Sequence, residues 1–498
     1  MMDYMVFKSG TDIRGVGSEG VPGEAVNMTD EAVAAMTAGY ALWASDKLNK
    51  SVHELTISVG RDCRISGERI AGAVIRTLTN AGVRVIDCGL ASTPSMFMTT
   101  VDAGCDAAVQ ITASHHPFNR NGLKFFVREG GLDHGDIRAI LEHANNGDTL
   151  TACSGGSVEK LDYMERYCAH LRDIIKRGVN AEDYEHPLKG FHIVVDAGNG
   201  AGGFYPGKVL EPLGADTTGS VYLEPDGMFP NHVPNPENEE AMRSICNAVL
   251  SNKADLGLIF DTDVDRGGAV DSTGHEINRN RLVALTACLT LEDNPGGTVV
   301  TDSITSTGLT EFIEGHLGGK HYRYRRGYRN IINKAIELNE QGINCPIASE
   351  TSGHVAMREN YFLDDGAYLC TLIVVKLARL RREGKTLEGL LSALKEPAEA
   401  VELRFKITES DFRAAGQRVI DALTAYAEEH DGWQIDRGNR EGIRVSFGPQ
   451  DGDGWFLLRL SVHDPILPLN IESDSEGGVE IIRDKVIDFL RTQEGIEV

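Results

Sequence analysis

Three carboxylates alternate along FDTDVDRGG, directly behind the apolar run LGLIF. Asp261, Asp263 and Asp265 at this spacing repel one another unless a cation or an arginine compensates. Their hard oxygens suit a divalent metal ion. An EF-hand is excluded, because its loop needs Gly where Arg266 stands and Glu where Ser272 stands. A haloacid-dehalogenase-type phosphatase also opens on a strand and an Asp-x-Asp pair, but takes Thr or Val where this chain has Asp265. A second chemical loop is Thr112-Ala113-Ser114-His115-His116, which follows the strand-like AAVQI. Ser114 fits a nucleophile with His115 or Lys124 as proton partner. Taken singly, the segment fits a polar loop with a turn at Asn121-Gly122 slightly better.

Three further loops are weaker alone. DAGNGAGG formally matches G-x-G-x-x-G at Gly198, Gly200 and Gly203, but no acidic strand end follows at the dinucleotide spacing, so a structural turn is expected. ASETSGHVAMREN gathers Glu350, Ser352 and His354 around Gly353, a set suited to sugar hydroxyls or to a capped helix start. RLSVHDPILPLNIE offers Arg459, Ser461 and His463, the chemistry that holds a phosphate dianion, or an edge strand and a turn.

The elements that must position these loops alternate between strand-like and helical periods, the signature of α/β layers. In LTISVGRDCRISGERIAGAVIRTLTNAGVRVIDCG a strand ends at Gly60, Ser66 stands as a helix cap, and Ile70, Val74 and Leu78 follow at helical spacing. Gly82 closes the helix and a strand follows. FHIVVDAGNG, ADLGLIFDTDVD and GGTVVTDSIT repeat the strand-then-loop pattern, which fits three such domains in series. After residue 397 the pattern changes to VELRFKI, a helix carrying Phe412, Ala415, Val419 and Leu423, then GIRVSF and GWFLLRLS, an α+β module with antiparallel strands. The stretches 149–157 and 176–190 read as linkers.

Bulk properties exclude several functions. With 74 acidic against 49 basic residues the formal charge is −25, which repels nucleic acid and anionic lipid. A phosphate ligand then needs local Arg, Lys and backbone N–H groups. The 9 cysteines are dispersed without a C-x-x-C pair and read as reduced thiols, not a zinc site or disulfide frame. No apolar run approaches the roughly 20 residues that span a membrane, and no secretory signal is visible, so a cytoplasmic protein is expected.

Together the loops resemble the α-D-phosphohexomutase family, across the whole chain. The family's T-A-S-H-N-P loop with N-G-x-K is similar to residues 112–124, D-x-D-x-D-R to 261–266, G-E-x-S-G-H to 349–354 and, in part, R-x-S-x-T-x-P to 459–465. SGTDIRG, which holds Arg14, VGRDCR and PDGMFPNHVPNP also match in character. The resemblance implies three related α/β domains with mixed sheets plus a C-terminal α+β domain, around a central cleft. Their expected bounds are 1–160 with the phosphoserine loop, 161–275 with the metal loop, 276–396 with the sugar loop and 397–498 with the phosphate loop.

By the same resemblance Ser114 carries a phosphoryl group, and Ser114, Asp261, Asp263 and Asp265 hold Mg²⁺. Ser114, His115, Lys124 and Arg266 form the catalytic set, with His115 and Lys124 as acid and base. Arg14, Glu350, Ser352, His354, Arg459, Ser461 and His463 bind substrate. The implied reaction interconverts hexose 1-phosphate and hexose 6-phosphate, glucose or mannose, with hexose 1,6-bisphosphate as intermediate and activator, in a monomer or homodimer. Departures fall mostly on substrate-facing positions: His116 for Asn, Ser349 for Gly, Tyr328 for His, His463 for Thr, and Pro468 where many members carry Arg. A hexose-bisphosphate synthase and a non-catalytic sugar-phosphate sensor are the alternatives on the same scaffold.

Overall fold

The computed structural model describes residues 2–461 and 464–498. His463 lies outside the described residues. The chain forms two compact units, residues 1–282 with 352–390, and residues 283–351 with 391–498.

The first unit opens with a mixed sheet. Strand Thr56–Arg61 lies parallel to Arg84–Leu90 and to Ala107–Ile111, and Ser157–Lys160 extends the parallel edge. Ala107–Ile111 then pairs antiparallel with Arg120–Val127, which pairs antiparallel with Asp12–Val16. The strand Ala107–Ile111 is buried along its full length, and its one polar residue, Gln110, donates its amide to the Ala91 carbonyl at 2.9 Å. Helices Asp30–Leu48, Gly67–Asn80 and His134–Asn146 contribute to one apolar cluster that includes Met36, Tyr40, Ile70, Leu78 and Ile140.

A second sheet follows. Leu256–Phe260 is parallel to Ile193–Asp196 and antiparallel to Gly267–Asp271. Phe260 pairs with Gly267, so residues 261–266 form the closed end of a buried hairpin. Helix Glu239–Asn252 packs Met242, Ile245 and Val249 onto this sheet. Its N-terminus is capped by the Asn238 side chain, which accepts the N–H groups of Glu240 and Ala241.

In the second unit Thr298–Thr301 is flanked by parallel strands Lys320–Arg323 and Ile347–Ser349. Its C-terminal module is an antiparallel sheet in which Ile466–Ser473 lies between Gly454–Leu458 and Glu399–Ile407. Helices Phe412–Glu429 and Gly478–Leu490 bury Val419, Leu423, Ile482 and Val486 against it.

Three local expectations are corrected. Asn121-Gly122 is no turn but lies inside strand Arg120–Val127, where a Cβ on Gly122 would sit 2.3 Å from the Ile13 carbonyl oxygen and 2.7 Å from that of Thr112. Glycine is needed there for close backbone approach. The supposed linker from 176 begins as the last turn of helix Tyr163–Val179, where Lys176 and Arg177 suit the negative end of the helix dipole. Ser66 precedes its helix without a side-chain cap bond, and its hydroxyl instead accepts from the Asn121 amide at 2.9 Å. Gly82, at φ 87°, ends that helix as expected, with Val83 N–H bonded back to the Leu78 carbonyl.

Candidate active site

Within the first unit two loops meet. Ser114 sits just beyond the end of strand Ala107–Ile111 in a left-handed conformation, φ 49°. Its hydroxyl donates to Asp261 Oδ2 at 3.2 Å and accepts from Arg266 Nη2 at 3.0 Å. The same Arg266 nitrogen donates to His115 Nδ1 at 2.7 Å. An arginine cannot accept, so Nδ1 carries no proton and His115 is the neutral Nε2–H tautomer. Burial, reinforced by the Arg266 charge, pushes the imidazole down to about 2, which agrees with that reading.

Asp261, Asp263 and Asp265 are all buried, and one ligand oxygen of each lies within 4.8 Å of the others. Lys124, from the neighbouring strand, bonds to Asp265 and stands 3.8 Å from Asp263. Thr93 donates to Asp263 Oδ2 at 2.5 Å. Burial and the Asp265 charge raise the carboxyl of Asp261 above its usual range, and the same two causes raise Asp263. Burial acts on Asp265 too, but Lys124, His354 and Arg266 outweigh it and hold that carboxyl below the usual range. Asp263 Oδ1 and Asp265 Oδ1 are buried without a hydrogen-bond partner. A buried acceptor left unmatched costs about 1–3 kcal/mol. Two such oxygens beside a third carboxylate are the donor set a hard divalent cation takes, so the residues fit a metal site.

The sugar-loop residues Ser352 and His354 belong to this unit and lie beside the metal loop. His354 forms a backbone bridge to Arg266, its Nε2 is 3.9 Å from Asp265 Oδ1, and its Nδ1 is 3.1 Å from Ser352 Oγ. Arg14 stands opposite Gly122 on the adjoining strand and pairs with Asp12 at 2.9 Å.

Glu350, Arg459 and Ser461 belong to the second unit. Glu350 Oε1 accepts the Gly327 N–H at 2.6 Å. Arg326 N–H donates to Glu441 Oε2 at 3.2 Å, and Ser303 Oγ to the same oxygen at 2.5 Å. Arg459 is buried, and burial together with the Arg326 charge holds its guanidinium below the usual range. Ser461 Oγ accepts the Asp464 N–H at 3.2 Å.

Domain models of the phosphoglucomutase/phosphomannomutase family match this chain in sequence order, alpha/beta/alpha domain I at residues 12–151, domain II at 165–274 and domain III at 278–397. A protein named phosphomannomutase/phosphoglucomutase from Pseudomonas putida is 31% identical over 484 residues, covering 97% of this chain and 94% of that one. The chain belongs to the phosphoglucomutase/phosphomannomutase family. A phosphoglucomutase of Neisseria gonorrhoeae is 30% identical over 481 residues, covering 96% of this chain and 95% of that protein. A crystal structure of a family protein from Burkholderia thailandensis superimposes with a TM-score of 0.79 at 26% identity, covering 99% of this chain and 98% of that one. Among the described residues no helix is long and apolar enough to cross a membrane.

Three further residues, not evident from the sequence, hold these side chains and the serine loop in place. Thr93 and Asn235 are two, the latter accepting from Arg266 Nη1 at 3.1 Å. Arg64 is the third. It is buried, pairs with Asp62, and donates to the carbonyls of Ser114, His116, Pro117 and Arg120. Its signal was a charged pair in VGRDCR at a strand end. The glycines of DAGNGAGG serve packing, since a Cβ on Gly203 would lie 1.8 Å from the Leu223 carbonyl oxygen.

Proposed function

We propose that this protein is a phosphohexomutase that moves the phosphoryl group of a glucose or mannose phosphate between the 1- and 6-positions by way of phosphorylated Ser114. The observation that carries this reading is the Ser114 hydroxyl held between Arg266 and Asp261, itself a member of the buried carboxylate triad. The family's names, phosphoglucomutase and phosphomannomutase, support the substrate class. Asp261, Asp263 and Asp265, with the Ser114 phosphate, would hold Mg²⁺, which when bound neutralises charge on the transferring group.

Phosphoserine gives its phosphoryl group to the free hydroxyl of the bound hexose phosphate, and the proton of that hydroxyl passes to a base. The resulting hexose 1,6-bisphosphate turns over and returns its other phosphate to Ser114 Oγ, with a proton delivered to the departing hydroxyl oxygen. Lys124, paired with Asp265, and His115, with its proton on Nε2, are the acid–base pair in this scheme. Arg266 stays charged because Asp261 and its neighbours outweigh the cost of burial, so it stabilises anionic oxygens on Ser114. Glu350, Ser352 and His354 would orient the sugar hydroxyls. Arg14, Arg459, Ser461 and His463 would hold the phosphate that does not react, and free hexose 1,6-bisphosphate would activate the enzyme by phosphorylating Ser114.

A panel of glucose, mannose and glucosamine phosphates, each with Mg²⁺ and with or without catalytic hexose bisphosphate, tests the reading by phosphorus NMR. Interconversion that needs only catalytic bisphosphate is expected. Stoichiometric accumulation of bisphosphate from another donor would mark a synthase, and inertness toward every sugar would overturn the mutase reading.

A further inference from the structure

Three segments remain unused by the chemistry above: VGRDCR, DAGNGAGG and PDGMFPNHVPNP. The structure joins them. Loop 224–238 leaves the second domain and lays Phe229 on the guanidinium of Arg64, 5.1 Å from the ring centroid. A Cβ on Gly227 would sit 2.5 Å from the Cys63 carbonyl oxygen, so the backbone passes directly over VGRDCR. Arg64 in turn donates to the Ser114, His116, Pro117 and Arg120 carbonyls, four acceptors spread over the serine loop. Six residues beyond Phe229, Asn235 Oδ1 accepts from Arg266 Nη1. One loop therefore touches the arginine that shapes the serine loop and the arginine that meets the serine hydroxyl.

The loop is itself anchored. Buried His232 points Nε2 at both oxygens of Asp196, at 3.0 and 3.1 Å, and Nδ1 at the Val233 carbonyl at 3.0 Å. Asp196 also accepts from Ser244 Oγ at 2.7 Å and from Gly198 N–H at 2.9 Å. Asn199 of the glycine-rich turn donates its amide to the Glu224 carbonyl at 2.8 Å and accepts from the Asn231 amide at 2.7 Å. The anchor is a strand end, and His232 lies midway between Phe229 and Asn235, the residues that meet the two arginines.

We propose that Phe229 and Arg64 are positioning residues for phosphoryl transfer: the loop pinned at His232 clamps Arg64 from above, and Arg64 sets the left-handed backbone at Ser114 in register with Arg266. Neither residue touches the reacting atoms. The effect on turnover rests on the mutase reading, whereas the effect on the serine loop does not. Misplacing a reacting group by about 1 Å costs on the order of a hundredfold in rate, so loosening one stacked contact is expected to lower kcat about tenfold.

The test compares Phe229→Ala, Phe229→Tyr, Arg64→Lys and the double variant of the full chain. Amide hydrogen exchange over residues 112–120 should be about tenfold faster in Phe229→Ala and restored in Phe229→Tyr, because local opening is set by the contacts that close it. In the mutase assay kcat should fall while KM holds, and the double variant should lose no more than the worse single one, since both act through the same contact. Unchanged exchange in Phe229→Ala, or losses that add in the double variant, would overturn the proposal. If Arg64→Lys fails to fold, the Ala and Tyr variants of Phe229 decide alone. A wild type inert toward all hexose phosphates but with a protected serine loop that loosens in Phe229→Ala would sink the mutase reading and leave the clamp standing.

Discussion

Asp263→Asn should reverse its rank in stability against wild type when Mg²⁺ is added. Asp263 faces two other carboxylates with ligand atoms no farther than 4.8 Å away. At an effective dielectric constant of about 20, each such pair costs about 3.5 kcal/mol, or about 7 for both. Lys124, 3.8 Å distant, returns about 4 kcal/mol on the same scale. The asparagine keeps an acceptor for Thr93 and removes both sets of terms. Allowing for the Arg266 charge and relaxation, the variant should be about 1–2 kcal/mol more stable than wild type in chelator. Mg²⁺ at a hundred times its dissociation constant stabilises a protein that binds it by about 2.7 kcal/mol. Wild type should gain that amount and the variant little, so their order should cross. Urea unfolding with chelator and with Mg²⁺ measures both. A variant less stable than wild type in chelator, or one that gains as much from Mg²⁺, would refute the reasoning.

Peptide mass spectrometry after incubation with hexose 1,6-bisphosphate should find phosphate on Ser114, and phosphate found only elsewhere would remove the serine from the scheme. Gly122→Ala should cost about 1–3 kcal/mol or more by overpacking, because its Cβ meets two carbonyl oxygens. It should also cost activity through Thr112, and an unchanged melting temperature would contradict the close approach. For His232, burial opposes protonation, yet Asp196 raises the imidazole above its ordinary value. Its stabilisation is therefore full below the unfolded value, about 6.5, and lost as pH rises through the higher folded one. Stability of wild type relative to His232→Gln should fall as pH rises over that window, and parallel profiles would show that the pair carries no charge.

Residues 112–116, 261–266 and 350–354 stand out in the sequence because each set keeps its polar residues contiguous at a strand end, where a short motif survives in one dimension. The hairpin behind Asp261 follows from LGLIF, which is buried along its length. Contacts made across long separations left no such trace. Arg64 reaches carbonyls more than fifty residues away, and a carbonyl is the same in every residue, so its partners have no signature. Asn121-Gly122 misleads for the opposite reason. The dipeptide favours a turn locally, but strands pair on both sides of it and the sheet wins. The stretch 176–190 is a connecting segment from Asn180 on, and its first residues read as part of it because Lys176 and Arg177 are polar residues in the last turn of a helix.

A loop gripped by its carbonyls is held through groups that every residue carries. Arg64 would bind residues 114–120 equally well whatever stood at positions 116 to 118, provided the backbone followed the same path. The Arg64 grip at position 116 falls on the His116 carbonyl, so this contact does not depend on the imidazole there. The grip itself is set from another segment, where Asp62 pairs with the Arg64 guanidinium that makes it.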